Sequence, residues 1–107
     1  MNKQELAIAK KIAEIEGIEL REHSHSLYGF KSVYKPEGGI WQEYNPFDWS
    51  ILGSLMVKYK VIPDFNFNSA VVVNYDTQLS FEVDSHDETE ESMKRAILEC
   101  IIKSQES

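Results

Sequence analysis

The sequence predicts a small α+β domain, and three observations lead to that fold class. Three segments carry apolar residues at helical spacing, and the segments between them alternate apolar and polar residues as half-buried strands do. The apolar fraction of 42% is ordinary for a globular protein. A chain of 107 residues buries about two-thirds of its unfolded surface on folding, which suffices for one core. We therefore expect a single α+β domain spanning residues 1–107.

The first predicted helix runs from about residue 3 to residue 16. Its apolar stripe consists of Leu6, Ala9, Ile12 and Ala13. Asn2 and Glu5 have the spacing of a capping box, and Gly17 stands where a left-handed residue ends many helices. Residues 18–22 then alternate apolar and polar side chains, which predicts a strand.

The middle of the chain predicts a hairpin followed by a second helix. Residues 28–34 and 40–44 contain strand-forming residues and flank the turn-forming stretch 35–39. Asn45 is a good N-cap, and Pro46 fits the first helical position, where its missing N–H costs nothing. One face of this helix is predicted to hold Trp49, Leu52, Leu55, Met56 and Tyr59.

The last third of the chain predicts a second hairpin and a closing helix. Residues 70–73 are apolar at consecutive positions, as in a strand covered on both faces, whereas 79–84 alternate as in a strand with one wet face. The closing helix is predicted over about 87–104, with Ser85 and Glu88 at capping-box spacing. Its apolar stripe consists of Met93, Ala96, Ile97, Cys100 and Ile101.

The predicted order of elements is therefore α-β-β-α-β-β-α. A strand covered on both faces requires layers above and below it. We expect a small three-layer α/β/α sandwich, with three helices and an antiparallel sheet of about four strands.

The stretch 44–49, Tyr-Asn-Pro-Phe-Asp-Trp, leads into a helix over 51–59 that ends in Val-Lys-Tyr. With the N-terminal helix, the valine-rich hairpin and the closing helix, this arrangement resembles the small phage- and prophage-encoded "ABA sandwich" domains. The resemblance covers about residues 5–15 and 40–103, and the chain departs from it in the longer segment 23–39. It implies a fold and a phage or bacterial origin. It implies no site residues, because the family has no established activity.

The net charge of −7 is unevenly distributed along the chain. Residues 1–60 hold eight basic and eight acidic side chains, whereas residues 61–107 hold three basic and ten acidic ones. Such a field repels phosphate backbones, so direct nucleic-acid binding is not expected. It favours a basic protein partner, or it serves solubility alone.

Three features predict a cytoplasmic location, which the family resemblance places in a bacterial host cell. The N-terminus lacks the apolar run of a secretory signal. No stretch approaches the roughly 20 apolar residues of a membrane span, so no membrane partner is expected. Cys100 is the one cysteine, so an internal disulfide cannot form.

The most acidic segment supplies the first candidate site. Its six carboxylates are Glu82, Asp84, Asp87, Glu88, Glu90 and Glu91. One interpretation is structural, because acids near a helix N-terminus interact favourably with the helix dipole. The other is an acidic patch that docks on a basic protein surface or occupies a nucleic-acid groove.

A cluster of aromatic residues supplies the second candidate site. Tyr44 and Trp49 are predicted to pack together as a hydrophobic staple at the start of the second helix. Trp41 and Phe47 are less constrained by the pattern, and if exposed they would provide anchors for an interface. Self-association into a homodimer, through a sheet edge or this aromatic segment, is a further prediction.

His23 and His25 would share a face if they lay on a strand, where imidazoles can bind a metal. The alternative interpretation is an exposed polar turn, because a zinc site needs three or four ligands. Cys100 falls on the core stripe of its helix, which favours packing over a nucleophilic role. Known catalytic and phosphate-binding motifs are absent from the sequence, so we expect no catalytic residues, no metal and no cofactor.

Together these observations predict an accessory protein of the phage or prophage type rather than an enzyme. It would bind a basic host or phage protein through the acidic run, with Trp41 and Phe47 as exposed anchors. The alternative is a small metal-dependent enzyme that uses His23 and His25.

Overall fold

The structure is a computed structural model that describes residues 3–25, 30–64, 69–74, 79–84 and 89–106. The chain divides into two compact units, Met1–Pro46 and Phe47–Ser107, which are described separately below.

The first unit contains one helix and one antiparallel sheet. Its elements are α1 (Lys3–Glu16), β1 (Arg21–His25), β2 (Phe30–Glu37) and β3 (Ile40–Glu43). The bounds of α1 are those predicted, and its apolar stripe is buried. Gly17 has a φ of 69°, and its N–H donates to the carbonyl of Glu14 at 3.2 Å. Ile18 N–H donates to the carbonyl of Ala13 at 2.8 Å, so the helix ends in a Schellman motif at the left-handed residue that the sequence predicted.

The sheet of the first unit has the order β1-β2-β3. The strand predicted over 18–22 lies further along the chain at Arg21–His25, and the turn predicted over 35–39 consists of Gly38 and Gly39 alone. Both glycines have positive φ, at 61° and 86°, as the two central residues of a type I′ turn require. That turn matches the twist of paired strands, so β2 and β3 form a tight hairpin.

The hairpin also explains a proline inside β2. In a two-residue hairpin the flanking pair, here Glu37 and Ile40, exchanges backbone hydrogen bonds. The next pair, Pro36 and Trp41, therefore faces without such bonds, and Lys35 with Gln42 resumes them. The missing N–H of Pro36 consequently removes no bond to β3.

The second unit contains two helices and a second antiparallel sheet. Its elements are α2 (Trp49–Tyr59), β4 (Val61–Asp64), β5 (Ser69–Asn74), β6 (Leu79–Asp84) and α3 (Glu90–Glu106). The sheet order is β4-β5-β6, so the valine-rich strand β5 is central. Helix α3 packs against all three strands, and α2 packs against α3 and β4. The core of this unit therefore lies between α3 and the sheet.

The start of α2 differs from the prediction. The N-cap is Asp48 rather than Asn45, and its carboxylate accepts from Ser50 N–H at 2.9 Å and from Ser50 Oγ at 2.7 Å. Pro46 lies in the turn before the helix and is buried. At the other end Lys60 adopts a left-handed conformation, with a φ of 58°, and its N–H donates to the carbonyl of Met56.

The start of α3 also lies later than predicted. The helix begins at Glu90, and Thr89 Oγ1 accepts from Ser92 N–H at 3.1 Å in the manner of an N-cap. The predicted capping residues Ser85 and Glu88 lie outside the described residues. The predicted stripe is buried throughout, and Leu98 is fully buried as well.

The α+β fold class with three helices is confirmed, but the sheet is not a single one of about four strands. The described residues form two sheets of three strands each. Strand β4, which contains Pro63, was not predicted from the sequence. It lies at the edge of its sheet, where a proline is tolerated when its missing N–H would face away from the neighbouring strand. The three-layer arrangement and the single domain over 1–107 stay predictions.

Strand β5 begins with two buried residues whose side chains face opposite sides of the sheet. Ser69 is 1% exposed and Ala70 is 0% exposed, so both faces of the sheet are covered at this end, whereas Val71 is half-buried. Among the described residues, Ser69 Oγ is the buried side-chain oxygen without a hydrogen-bond partner. An unsatisfied buried hydroxyl retains its desolvation cost.

We expect Ser69→Ala to raise the free energy of unfolding by about 1 kcal/mol, because it removes that hydroxyl at little loss of volume. Urea denaturation of the two proteins measures the difference. The matched control is Ser92→Ala, at a buried serine whose hydroxyl is not an unsatisfied buried group and which should therefore not gain stability in this way. A lower free energy of unfolding for Ser69→Ala would contradict the prediction.

Candidate protein-binding surfaces

Three side chains connect the N-terminal ends of α2 and α3 on the surface of the second unit. Trp49 Nε1 donates a hydrogen bond to Glu90 Oε1 at 2.5 Å. Lys94 Nζ lies 3.3 Å from the same Glu90 oxygen and 5.1 Å from the centroid of the Trp49 ring. We call Trp49, Glu90 and Lys94 the Trp49 cluster.

Local sequence accounts for most of this geometry. Glu90 and Lys94 are four residues apart on α3, the spacing at which acid and base pair on a helix surface. Glu90 lies in the first turn, where the helix dipole favours a carboxylate. Trp49 is the first residue of α2, and the Asp48 cap immediately before it fixes where the helix begins.

The sequence predicted that Trp49 packs against Tyr44 in a hydrophobic staple, and that prediction is wrong. Trp49 is 45% exposed, whereas Tyr44 is buried, so the staple predicted between them is not supported. The reason is the later helix start: with Asp48 as the cap, Trp49 begins the helix and Tyr44 no longer adjoins the cap.

The cluster stabilises the charged form of its carboxylate. The hydrogen bond from the Trp49 indole lowers the pKa of Glu90, and the hydrogen bond and positive charge of Lys94 lower it further. Beside it, the hydroxyl and then the N–H of Ser50 lower the pKa of Asp48, more than desolvation raises it, and the Lys94 charge adds to the lowering. Two fixed negative charges therefore flank an exposed indole.

These pKa shifts predict that the folded state is less stable at acidic pH. The pKa values of Asp48 and Glu90 lie below their ordinary values of 3.8 and 4.5 in the folded state. Their stabilising contribution is present above those ordinary values and is lost as the pH falls through the folded pKa values. We expect the urea concentration at the unfolding midpoint to decrease once the pH is lowered below about 4.5. In the double variant Asp48→Asn, Glu90→Gln this decrease should be smaller. Parallel pH curves for the two proteins would contradict this.

The structure separates the six predicted acids into three groups. Glu90 and Glu91 are exposed in the first turn of α3. Glu82 and Asp84 lie on β6, as the register partners of Val71 and Ser69.

Asp87 and Glu88 lie outside the described residues. Of the six predicted acids, only Glu90 and Glu91, at the start of α3, are therefore known to be exposed. Glu91 is the exposed acid there that forms no ion pair or hydrogen bond within the described residues.

The predicted anchor Trp41 is exposed on β3 of the first unit, at 38%. The guanidinium of Arg21 lies 4.3 Å from the centroid of its ring, a stacking geometry that the sequence did not predict. The register could have suggested it, since Arg21 and Glu43 both pair with Tyr34.

The other predicted anchor, Phe47, is half-buried in the turn before α2. Its turn position leaves part of the ring accessible. The exposed aromatic beside the described acids is therefore Trp49, for which the sequence predicted a packed position in the staple.

The two histidines lie on a strand rather than in the polar turn that one interpretation expected. His23 and His25 lie on β1, where they pair in register with Ser32 and Phe30 of β2. Within the described ranges, no three His, Cys, Asp or Glu side chains come together as a metal-binding group. Cys100 is fully buried in α3, as the packing interpretation predicted.

Comparison with family models, with curated proteins and with solved structures finds no match to this chain. The family resemblance therefore stays a prediction. In the part of the chain that the structure describes, each helix is too short or too polar to cross a membrane.

Proposed function

We propose that this chain is an accessory protein of the phage or prophage type that acts by binding a partner protein with a basic surface. The contact surface consists of the N-terminal turn of α3 and the acidic residues beside it in the sequence. It belongs to the second unit. The observation that carries the proposal is the Trp49 cluster, because it places an exposed indole between charged carboxylates.

The composition of this surface suits protein recognition. Partly exposed tryptophan is the residue type most enriched among interface positions that dominate binding energy. Acids around it steer a basic partner during encounter and disfavour acidic or phosphate-bearing competitors. The excess of acids in residues 61–107 extends the same field beyond the cluster.

The cluster is also held in place before any partner arrives. Trp49 is fixed by its hydrogen bond to Glu90 and by the Lys94 ammonium over its ring. A side chain fixed in this way loses less conformational entropy on binding than a free one. Because Glu90 bonds to both Trp49 and Lys94, it also stabilises the fold. The structural interpretation of the acidic run and the binding interpretation therefore both apply to Glu90.

The test must therefore spare Glu90. We expect the double variant Glu88→Lys, Glu91→Lys to lose capture of the partner from a bacterial lysate, with the bound proteins identified by mass spectrometry. The matched control is Glu14→Lys, Glu19→Lys, which changes the net charge equally at exposed positions of the first unit. The control should retain the partner.

Two further measurements sharpen that test. Trp49→Ala should weaken binding of the purified partner by about tenfold or more in calorimetry, since truncated interface anchors typically cost this much. Binding should also weaken as salt is raised, because the acids act through a screened field. Equal capture of the partner by the Glu88→Lys, Glu91→Lys variant and by the control variant would refute the proposed surface.

The phage origin and the bacterial cytoplasmic location rest on the family resemblance and on the sequence features described above. They predict that the gene lies among phage genes of related role. A neighbourhood of unrelated metabolic genes would remove that part of the proposal and leave the binding surface to stand on its own test.

A further inference from the structure

Strand β3 forms an edge of the first sheet and is exposed along its whole length. All four of its residues, Ile40 to Glu43, are exposed, and among the described strands its one sheet neighbour is β2. Ile40 is 60% exposed and Trp41 is 38% exposed. An edge strand with accessible backbone groups and apolar side chains is a template for pairing with another strand.

The hairpin register shows which backbone groups β3 offers. Ile40 and Gln42 direct their N–H and C=O groups inward, because they form the hydrogen-bonded pairs with Glu37 and Lys35. The groups of Trp41 and Glu43 therefore point outward, to the free edge. A strand that binds here must bond to these two residues.

We propose that the occupant is a second copy of this chain, paired through β3 in antiparallel register about a two-fold axis at Gln42. A two-fold axis perpendicular to a sheet keeps the same face uppermost in both copies, so residues of equal parity lie opposite each other. Trp41 then faces Glu43 of the second copy, and Glu43 faces Trp41 of the second copy. Both are outward-pointing residues, so each pair exchanges two backbone hydrogen bonds.

This register is also complementary in charge. Arg21 is stacked on the Trp41 ring at 4.3 Å, on the face of the sheet that Trp41 and Glu43 share. The pairing brings Glu43 of the second copy directly opposite Trp41, and hence beside the Arg21 guanidinium. Two such acid–base contacts form, one on each side of the axis, and no like charges oppose each other along β3.

The interface is small, so the dimer should be weak. A four-residue strand contributes far less area than the ~1,200 Å² of a stable complex. We expect a dissociation constant between about 10 μM and 1 mM. Sedimentation equilibrium on the wild-type chain measures it directly, and a chain that is wholly monomeric at about 1 mM would overturn the proposal.

Charge exchange tests the contact between copies. Glu43→Lys and Arg21→Glu should each weaken association about tenfold, and the double variant should restore it, because opposite charges again face each other. Glu14→Lys alters net charge as Glu43→Lys does, but on α1, and should leave association unchanged. Equal weakening by Glu14→Lys and Glu43→Lys would overturn the charge contact.

Cysteine cross-linking tests the register independently of affinity. Facing Gln42 residues form a non-hydrogen-bonded pair with Cα atoms about 4.5 Å apart, within the range of a disulfide. Gln42→Cys should therefore form a covalent dimer under mild oxidation, while the native Cys100 stays buried. Ile40→Cys, whose copies would be separated by about 13 Å, should not. Cross-linking of Ile40→Cys as fast as Gln42→Cys would refute this register.

Discussion

Replacement of Leu98 by alanine should lower the free energy of unfolding by about 2–5 kcal/mol. Its side chain is 0% exposed on α3, the helix that packs against all three strands of the second sheet. Truncation removes buried methyl groups and leaves a cavity that a close-packed interior fills only in part. Because small domains are stable by only about 5–15 kcal/mol, this single change removes a large part of the stability.

The matched control is Ile102→Ala on the same helix. Ile102 is half-buried, so its truncation removes less buried surface and should cost clearly less than Leu98→Ala. Urea denaturation followed by circular dichroism gives both values under the same conditions. Similar losses for the two variants would show that Leu98 does not lie in the core as the structure places it.

Leu98 also shows where periodicity stops being informative. The stripe read from the sequence contains Met93, Ala96, Ile97, Cys100 and Ile101, and all of them are buried. Leu98 lies outside that stripe. Its burial is consistent with α3 packing against α2 as well as the sheet, which a single-stripe pattern does not describe. How many neighbours a helix has is a tertiary property.

Helix ends were predictable where one residue had a single role. Gly17 takes the left-handed conformation that few other residues tolerate, and the C-terminal end of α1 followed from it. At α2 two good caps, Asn45 and Asp48, lie three residues apart, and local propensity does not choose between them. With Asp48 as the cap, Trp49 lies on the surface instead of in the predicted staple.

The candidate surface was only partly predictable, because some of its contacts lie within one helix and others depend on how two helices pack. The spacing of Glu90 and Lys94 is visible in the sequence, because it depends on one helix. The hydrogen bond from Trp49 to Glu90 joins residues 41 positions apart, so it depends on how α2 and α3 pack. The acids were therefore found, whereas the indole that fixes one of them was not.

The second large effect concerns the turn between β2 and β3. Gly39 has a φ of 86°, and a side chain added there would meet no other atom within 4 Å. The cost of Gly39→Val is therefore conformational: a β-branched residue is strained at positive φ by about 1–3 kcal/mol. We expect exchange of the Gln42 amide, which pairs with Lys35 in the ladder, to accelerate about tenfold or more.

Gly38→Asn is the matched control, since asparagine tolerates the left-handed region and Asn-Gly is a favoured type I′ pair. It should leave exchange of the Gln42 amide close to that of the wild type. If Gly39→Val exchanged no faster than this control, the type I′ turn would be wrong. The same variant separates the two proposed interfaces, because it disturbs β3 but leaves the second unit unaltered in sequence. It should weaken self-association through β3, whereas capture of a basic partner at the start of α3 should persist.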